Sequence, residues 1–206
     1  MENYPFDTCS LAADVIDNYN DTYKAIKAKF HLEFTGNIDF QLEQFQVFNG
    51  SDDINIKGSF VLKQSNNNEC YMLFVQSSRP HNARHGVVSG LSFQTWGLAY
   101  LKKDFGRALI RRETLTDKII ELVHPVELDF DEDKAFSDTF YVLVNDRTKA
   151  ISAIDRNFRN AVMDIRHEDF VIEINEHTLI IGDQNPVSPE RAVHLAEFVS
   201  RVSSMC

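Results

Sequence analysis

The chain has 206 residues, 43% hydrophobic and 25% charged, with a net charge of −10 and a pI near 5.1. Such a chain can build a self-sustaining globular core, and its acidity argues against nucleic acid as a general partner, which would need a cationic surface. No run reaches the ~18 apolar residues of a membrane span, and Met1 to Asp14 lacks the basic and apolar regions of a secretory signal.

Leu11, Val15, Ile16, Tyr19, Tyr23, Ile26 and Phe30 recur at helical spacing, predicting a first helix from about Ser10, its cap, to Lys29. Phe30 to Phe34 alternates and ends at Thr35-Gly36-Asn37, a strand and turn. Phe45 to Phe48 is read as a strand ending at the hairpin signal Asn49-Gly50. Ile54 to Lys63 and Cys70 to Gln76 are strands around the polar loop Ser65 to Asn68. Ser78 to Gly90 is a loop, and Leu91 to Leu101 and Ala108 to Arg112 are strands again. The first half is therefore a helix followed by an antiparallel meander.

In the second half, Asp117 to Val123 suits a helical turn stopped by Pro125. Val126 to Phe130 and Phe136 to Val144 have strand composition. Ala150, Ile151, Ile154, Phe158, Val162 and Ile165 predict one helix over 148–165. Phe170 to Ile174 and Thr178 to Ile181 form a hairpin around Asn175-Glu176-His177. Ser188-Pro189-Glu190 caps a last helix with Ala192, Leu195, Ala196, Val199 and Val202 facing inward. The expected class is α+β, mostly antiparallel sheet packed by three main helices, in a single domain over 1–206. Helix, strand, turn and strand occur around 10–48 and again around 148–182, so a weak internal duplication and a division into 1–113 and 114–206 are alternatives.

This order carries a resemblance. Phe45-Gln46-Val47-Phe48-Asn49-Gly50, Gln94-Thr95, Phe105 followed by Ala108 to Glu113, and Phe136 to Leu143 precede helix 148–165, hairpin 171–181 and a terminal helix. Over about residues 23–202 the chain resembles a family of uncharacterised bacterial proteins in which a cytosol-facing α+β domain often follows membrane helices. The chain departs from it in having no membrane helices, and in Lys103-Asp104-Phe105 where members often have Leu-Pro before the phenylalanine. The resemblance implies a bacterial cytoplasmic domain, peripheral to the inner membrane face, and supplies no catalytic residues.

Charge supplies the one candidate site. Between Arg79 and Arg112 seven cations face one acid, Asp104, a local +6 that leaves −16 on the rest of the chain. Arg79, Arg84, Lys102, Lys103 and Arg107 form the candidate anion-facing patch, for an anionic protein partner or membrane surface. Arg111 and Arg112, adjacent on a strand, must point to opposite faces. Phe93, Trp96 and Tyr100 within this stretch are read first as core and edge residues of a strand, and as stacking groups only second.

Other chemistry fails on spacing. His81 and His85 stand four apart, but Pro80 and Gly86 place them in a loop without a third ligand. An EF-hand counted from Asp129 through Asp131, Glu132 and Asp133 meets Lys134 where glycine is needed and Phe140 where glutamate is needed. Ser89 has Val87 and Leu91 where a nucleophile elbow needs glycines. Cys9, Cys70 and Cys206 cannot all pair and are read as reduced thiols, with no cofactor or metal expected. The leading expectation is a non-enzymatic interaction or regulatory module using the basic stretch. The alternative is a small-molecule or lipid-binding domain with a pocket between sheet and helices, and the third is a hydrolase.

Overall fold

The central strands are continuous apolar runs, and because successive side chains point to opposite sides they fill both faces of one sheet, nine-stranded among the described residues. The computed structural model describes residues 4–36, 38–63, 69–83, 86–112 and 125–205, with backbone alone for 80–83 and 86–89. The strands are β1 (His31–Phe34), β2 (Asp53–Lys63), β3 (Cys70–Ala83), β4 (Gly86–Tyr100), β5 (Arg107–Arg112), β6 (Val126–Glu127), β7 (Phe140–Val144), β8 (Val171–Asn175) and β9 (Thr178–Gly182). Their order is β1-β2-β3-β4-β9-β8-β5-β7-β6, antiparallel throughout. The first four make the expected meander. The later hairpin β8–β9 then joins β4, and β5 lies between β8 and β7.

One face carries Cys70, Met72, Ala99, Ile110, Val142, Ile174 and Ile181 and is covered by helices. These are α1 (Ala13–Lys29), α2 (Lys134–Ser137), α3 (Arg147–Ala153), α4 (Arg156–Asp164) and α5 (Pro189–Met205). The predicted inner face of α5 is fully buried there, and Ser188 Oγ accepts from the Arg191 N–H at 3.3 Å as its cap. Gly97 lets α5 come close to β4, since a Cβ there would lie 2.7 Å from Val199 Cγ1. The result is a sheet-dominated α+β fold.

The other face carries Tyr71, Leu73, Val75, Trp96, Leu98 and Ile180 and has no helix over it among the described residues. A strap, residues 38–50, covers it with Phe40, Leu42, Phe45, Val47 and Phe48. Here the predicted strand Phe45 to Phe48 is corrected. It forms two short 3-10 turns, Leu42–Gln44 and Gln46–Phe48, so the 10–48 unit lacks the second strand that a duplication would require. The reason lies across the sheet. Glu173 Oε1 and Oε2 accept from the Gln46 and Val47 N–H groups at 2.8 and 2.9 Å, which ties the start of the second turn to β8.

Five further boundaries differ from the sequence reading. Ser10 does not cap α1, because it has a left-handed φ of 64° and the helix starts after Ala12. The 148–165 helix is two helices, because Asp155 is extended and accepts from the Phe158 N–H as the cap of α4. Phe136 belongs to α2, capped by Asp133, so the strand begins at Phe140, and Val126 to Phe130 is strand only at Val126–Glu127, with the Leu128 N–H adding one bond to Val142 O. Ser78 to Gly90 is not a loop, since β3 and β4 stay paired to Ala83↔Gly86. β2 stops opposite Ser78, so Pro80 lies on an outer edge, where a missing N–H costs no ladder bond. Among the described residues, three main helices thus become two long and three short ones, and the Asp117 to Val123 turn lies outside them.

Candidate functional site

Of the candidate basic residues, Arg79 lies apart from Lys102 and Lys103. Arg79 is half-buried beneath the strap, donating to Val47 O at 2.7 Å, Gln184 Oε1 at 2.6 Å and Ser51 Oγ at 3.3 Å. It pairs opposite Gly90, nine ladder positions from the Cys70↔Ala99 end where Lys102 follows, or roughly 30 Å along the strand. At that end Lys103 binds Asp155 at 2.6 Å. Lys102 and Arg107 have no carboxylate within salt-bridge distance among the described residues. Arg84 and His85 lie outside the described residues, as does Cys206. Arg111 lies over the Tyr141 ring and Arg112 pairs with Asp169, on opposite faces of β5. Trp96 is buried against Phe48 of the strap, and Cys70 is buried in the helical core.

Two members of the acidic run, Glu132 and Asp133, have structural partners. Asp133 caps α2 and accepts from Arg159 Nε at 2.9 Å, and Glu132 pairs with the same guanidinium at 3.2 Å. Arg159 is only 5% exposed, lies 4.5 Å from the Phe130 ring centroid and donates to Ile154 O. These carboxylates compensate a buried cation. Among the described residues no group of three histidine, cysteine or acidic side chains is placed to hold a metal ion.

A cavity of about 340 Å³ opens between α4 and α5. Its floor is Ala161, Ile165 and Phe198, and its rim carries Asp164, His167, Glu168, His194, Glu197 and Arg201. On α5, residues 194, 197, 198 and 201 fall on one stripe by helical periodicity. From the other side come Asp164 at the end of α4 and Glu168 in the turn after it, whose N–H donates to Ile165 O. The space between sheet and helices is packed by Phe105, Phe136 and Phe158, so this groove lies one layer further out than a sheet–helix pocket.

Glu168 organises the rim. It accepts from Arg191 Nε at 2.7 Å, and its Oε1 lies 2.8 Å from His194 Nδ1. Burial pushes its carboxyl up, but hydrogen bonds from Arg191 and His194 outweigh that and hold it below the ordinary glutamate range. Burial acts to lower the Arg191 pKa, and the bond to Glu168 with the nearby charge of Asp183 raises it overall. Arg191 also binds Asp183 at 3.3 Å and lies over Phe170, so Glu168 stands on a fixed support. Arg201 binds Asp164, and Lys29 of α1 binds Glu197. The rim thus has three carboxylates, two imidazoles and one guanidinium above an apolar floor. None of its lining residues is a serine, threonine or cysteine.

The sequence reading named none of these rim residues; the helical spacing of His194, Glu197, Phe198 and Arg201 is the signal that was there for the α5 half. Nothing in the sequence paired it with Asp164 and Glu168, because helix packing makes that match.

No protein-family model matches the chain, and no curated protein matches it in sequence. Among solved structures, the chain is similar in fold to the crystal structure of the mycobacterial trehalose monomycolate transport factor A. The likeness has a TM-score of 0.58 at 10% identity and covers 90% of this chain and 92% of that one. No described helix is long and apolar enough to cross a membrane.

Proposed function

We propose that this chain is a non-enzymatic binding domain for an amphiphile, whose hydroxyl-bearing head sits in the α4–α5 groove. The observation that carries this reading is the groove itself, with an apolar floor beneath carboxylates and imidazoles that can accept from and donate to hydroxyl groups. Its volume of about 340 Å³ is near the lower end of small-molecule sites, so it suits a head group and leaves an acyl chain outside. Binding is favoured over catalysis because Glu168, Asp164 and Glu197 are each held in ion pairs and the lining offers no hydroxyl or thiol nucleophile. The similar fold belongs to a protein named for transport of trehalose monomycolate, an acylated sugar, which agrees with this ligand class.

The test is calorimetric titration with octyl glucoside below its critical micelle concentration, with octyl sulfate as a charged control. Saturable binding of the glucoside, weakened at least fivefold by Glu168→Gln and by His167→Ala, is the expected result. His167→Ala matters because no ion pair among the described residues depends on it, so its loss reports on the groove and not on folding. Equal binding by wild type and both variants, or preference for the sulfate, would reject the reading.

A further inference from the structure

We infer that the outer edge of β2, at Asp53–Ile56, is a docking edge for an extended, cationic segment of a partner polypeptide, which would add to the sheet as a further strand. This is independent of the α4–α5 groove, on a different part of the molecule.

β1 covers only Phe60 to Lys63 of β2, and the Thr35 N–H adds one bond to Ser59 O. That bond makes Ser59, Val61 and Lys63 face β1, so Gly58, Phe60 and Leu62 face β3. Gly58↔Phe74 then sets Phe74, Gln76 and Ser78 toward β2, opposite Asn55 and Asp53 beyond the bulge at Lys57. The backbone groups of Ile54 and Ile56 are left pointing outward. Among the described residues no backbone group bonds to them, and the nearest capping contact is the Asp7 N–H to Lys57 O at 2.6 Å. Two N–H and two C=O groups therefore form a short open ladder, the arrangement that strand addition uses.

The surroundings fit one kind of occupant. A groove of about 400 Å³ runs beside this edge, lined by Phe34, Ile38 and Ile56 among others. Phe34 is 60% and Ile38 39% exposed, so two apolar side chains wait beside the open backbone. Asp7 lines the groove, exposed Asp39 follows Ile38 in the chain, and exposed Asp52 and Asp53 lie at the start of the edge strand. The groove's own cation, Lys57, is buried and donates to Asp7 Oδ2 and Cys9 O, both at 3.0 Å. Arg79, on the next strand, is committed to Val47, Ser51 and Gln184. An extended peptide alternating apolar and basic residues would place its apolar side chains on Phe34 and Ile38 and its cations among the aspartates. A second copy of this chain is the poorer occupant, because pairing two such edges brings both sets of aspartates into one seam.

The probe is a capped, fluorescein-labelled hexapeptide alternating valine and arginine, titrated into the full chain, with a valine–glutamate hexapeptide as control. The expected result is saturable binding of the arginine peptide alone, with slowed amide exchange at Ile54 and Ile56. Asp53→Lys should weaken it at least tenfold. Ile54→Pro, which removes an outward N–H and no bond to β3, should abolish it while thermal unfolding confirms a folded protein. Binding of the glutamate peptide with equal affinity, binding that leaves Ile54 and Ile56 exchange unchanged, or indifference to both folded variants would overturn the inference. So would sedimentation showing that the peptide-free protein dimerises through this edge.

Discussion

On the helical face of the sheet, the side chains of Phe105, Phe158 and Val199 are held by apolar packing, on backbone bonded within a helix, by its cap or to the β8–β9 turn. On the strap face, Phe45, Val47 and Phe48 are just as buried, yet the backbone carrying them is fixed by side-chain hydrogen bonds. Glu173 holds two strap N–H groups, while Arg79 and Gln184 both donate to Val47 O, and Asn175 binds Gln44. The helices satisfy their own backbones and need only an apolar stripe. The strap's two short 3-10 turns bond only part of its backbone, so distant polar residues bond the Gln46 and Val47 N–H groups and Val47 O. The contrast implies that the helical face fails by losing volume and the strap face by losing a bond.

The largest expected effect is on the packed face. Phe158→Ala should cost about 3–5 kcal/mol in chemical denaturation, because it empties a fully buried ring site next to Phe105. A cost near that of a surface change would mean that α4 does not pack as described. On the strap face, Glu173→Ala should cost about 2–4 kcal/mol, from two buried N–H groups left without an acceptor. Its amide exchange should quicken at Gln46 and Val47 before it quickens in α5. Uniform quickening would erase the distinction between the two faces. Gly97→Ala should cost about 1–3 kcal/mol, through the forced displacement of Val199. Unchanged stability would show that α5 can shift freely.

A smaller contrast is in pH. Burial pushes the Glu173 carboxyl up, against the two N–H bonds and the charge of Arg107, so the native state takes its proton more readily than the unfolded chain. Stability should therefore fall as pH rises from the ordinary glutamate range through the raised value, and Glu173→Gln should remove that slope. Glu168 has the opposite sign. Its stabilisation is present above the ordinary glutamate range and is lost as pH falls through its lowered pKa. Melting temperatures of wild type, Glu173→Gln and Glu168→Gln between about pH 3 and pH 7 separate the two contributions. Identical profiles would contradict both assignments.

The same contrast decides what could be read from the sequence. α5 was legible in full, because Ser188-Pro189 marks its start and its apolar stripe needs no partner to be recognised. The β8–β9 hairpin was legible for the same local reason, with Asn175-Glu176-His177 between two β-branched runs. The strap was misread because Phe45-Gln46-Val47-Phe48 alternates like a strand and Asn49-Gly50 follows like a hairpin turn. What overrides that pattern is Glu173, 126 residues from Val47. The break at Asp155 was hidden by apolar periodicity that continues through it, although an aspartate before a helix turn is itself a cap signal. In sequence the basic stretch reads as one patch, because Arg79 and Lys102 are close along the chain. A long hairpin instead separates Arg79 from Lys102, and the strap and Asp155 engage Arg79 and Lys103.

Amide chemical-shift mapping during an octyl glucoside titration tests whether the α4–α5 groove holds the ligand. Saturable shifts are expected at 164–168 and along the 194–201 stripe of α5, with the strap at Gln46 and Val47 unmoved. Shifts absent from those two segments, or gathered instead at the strap or at the β2 edge, would contradict the groove as the ligand site.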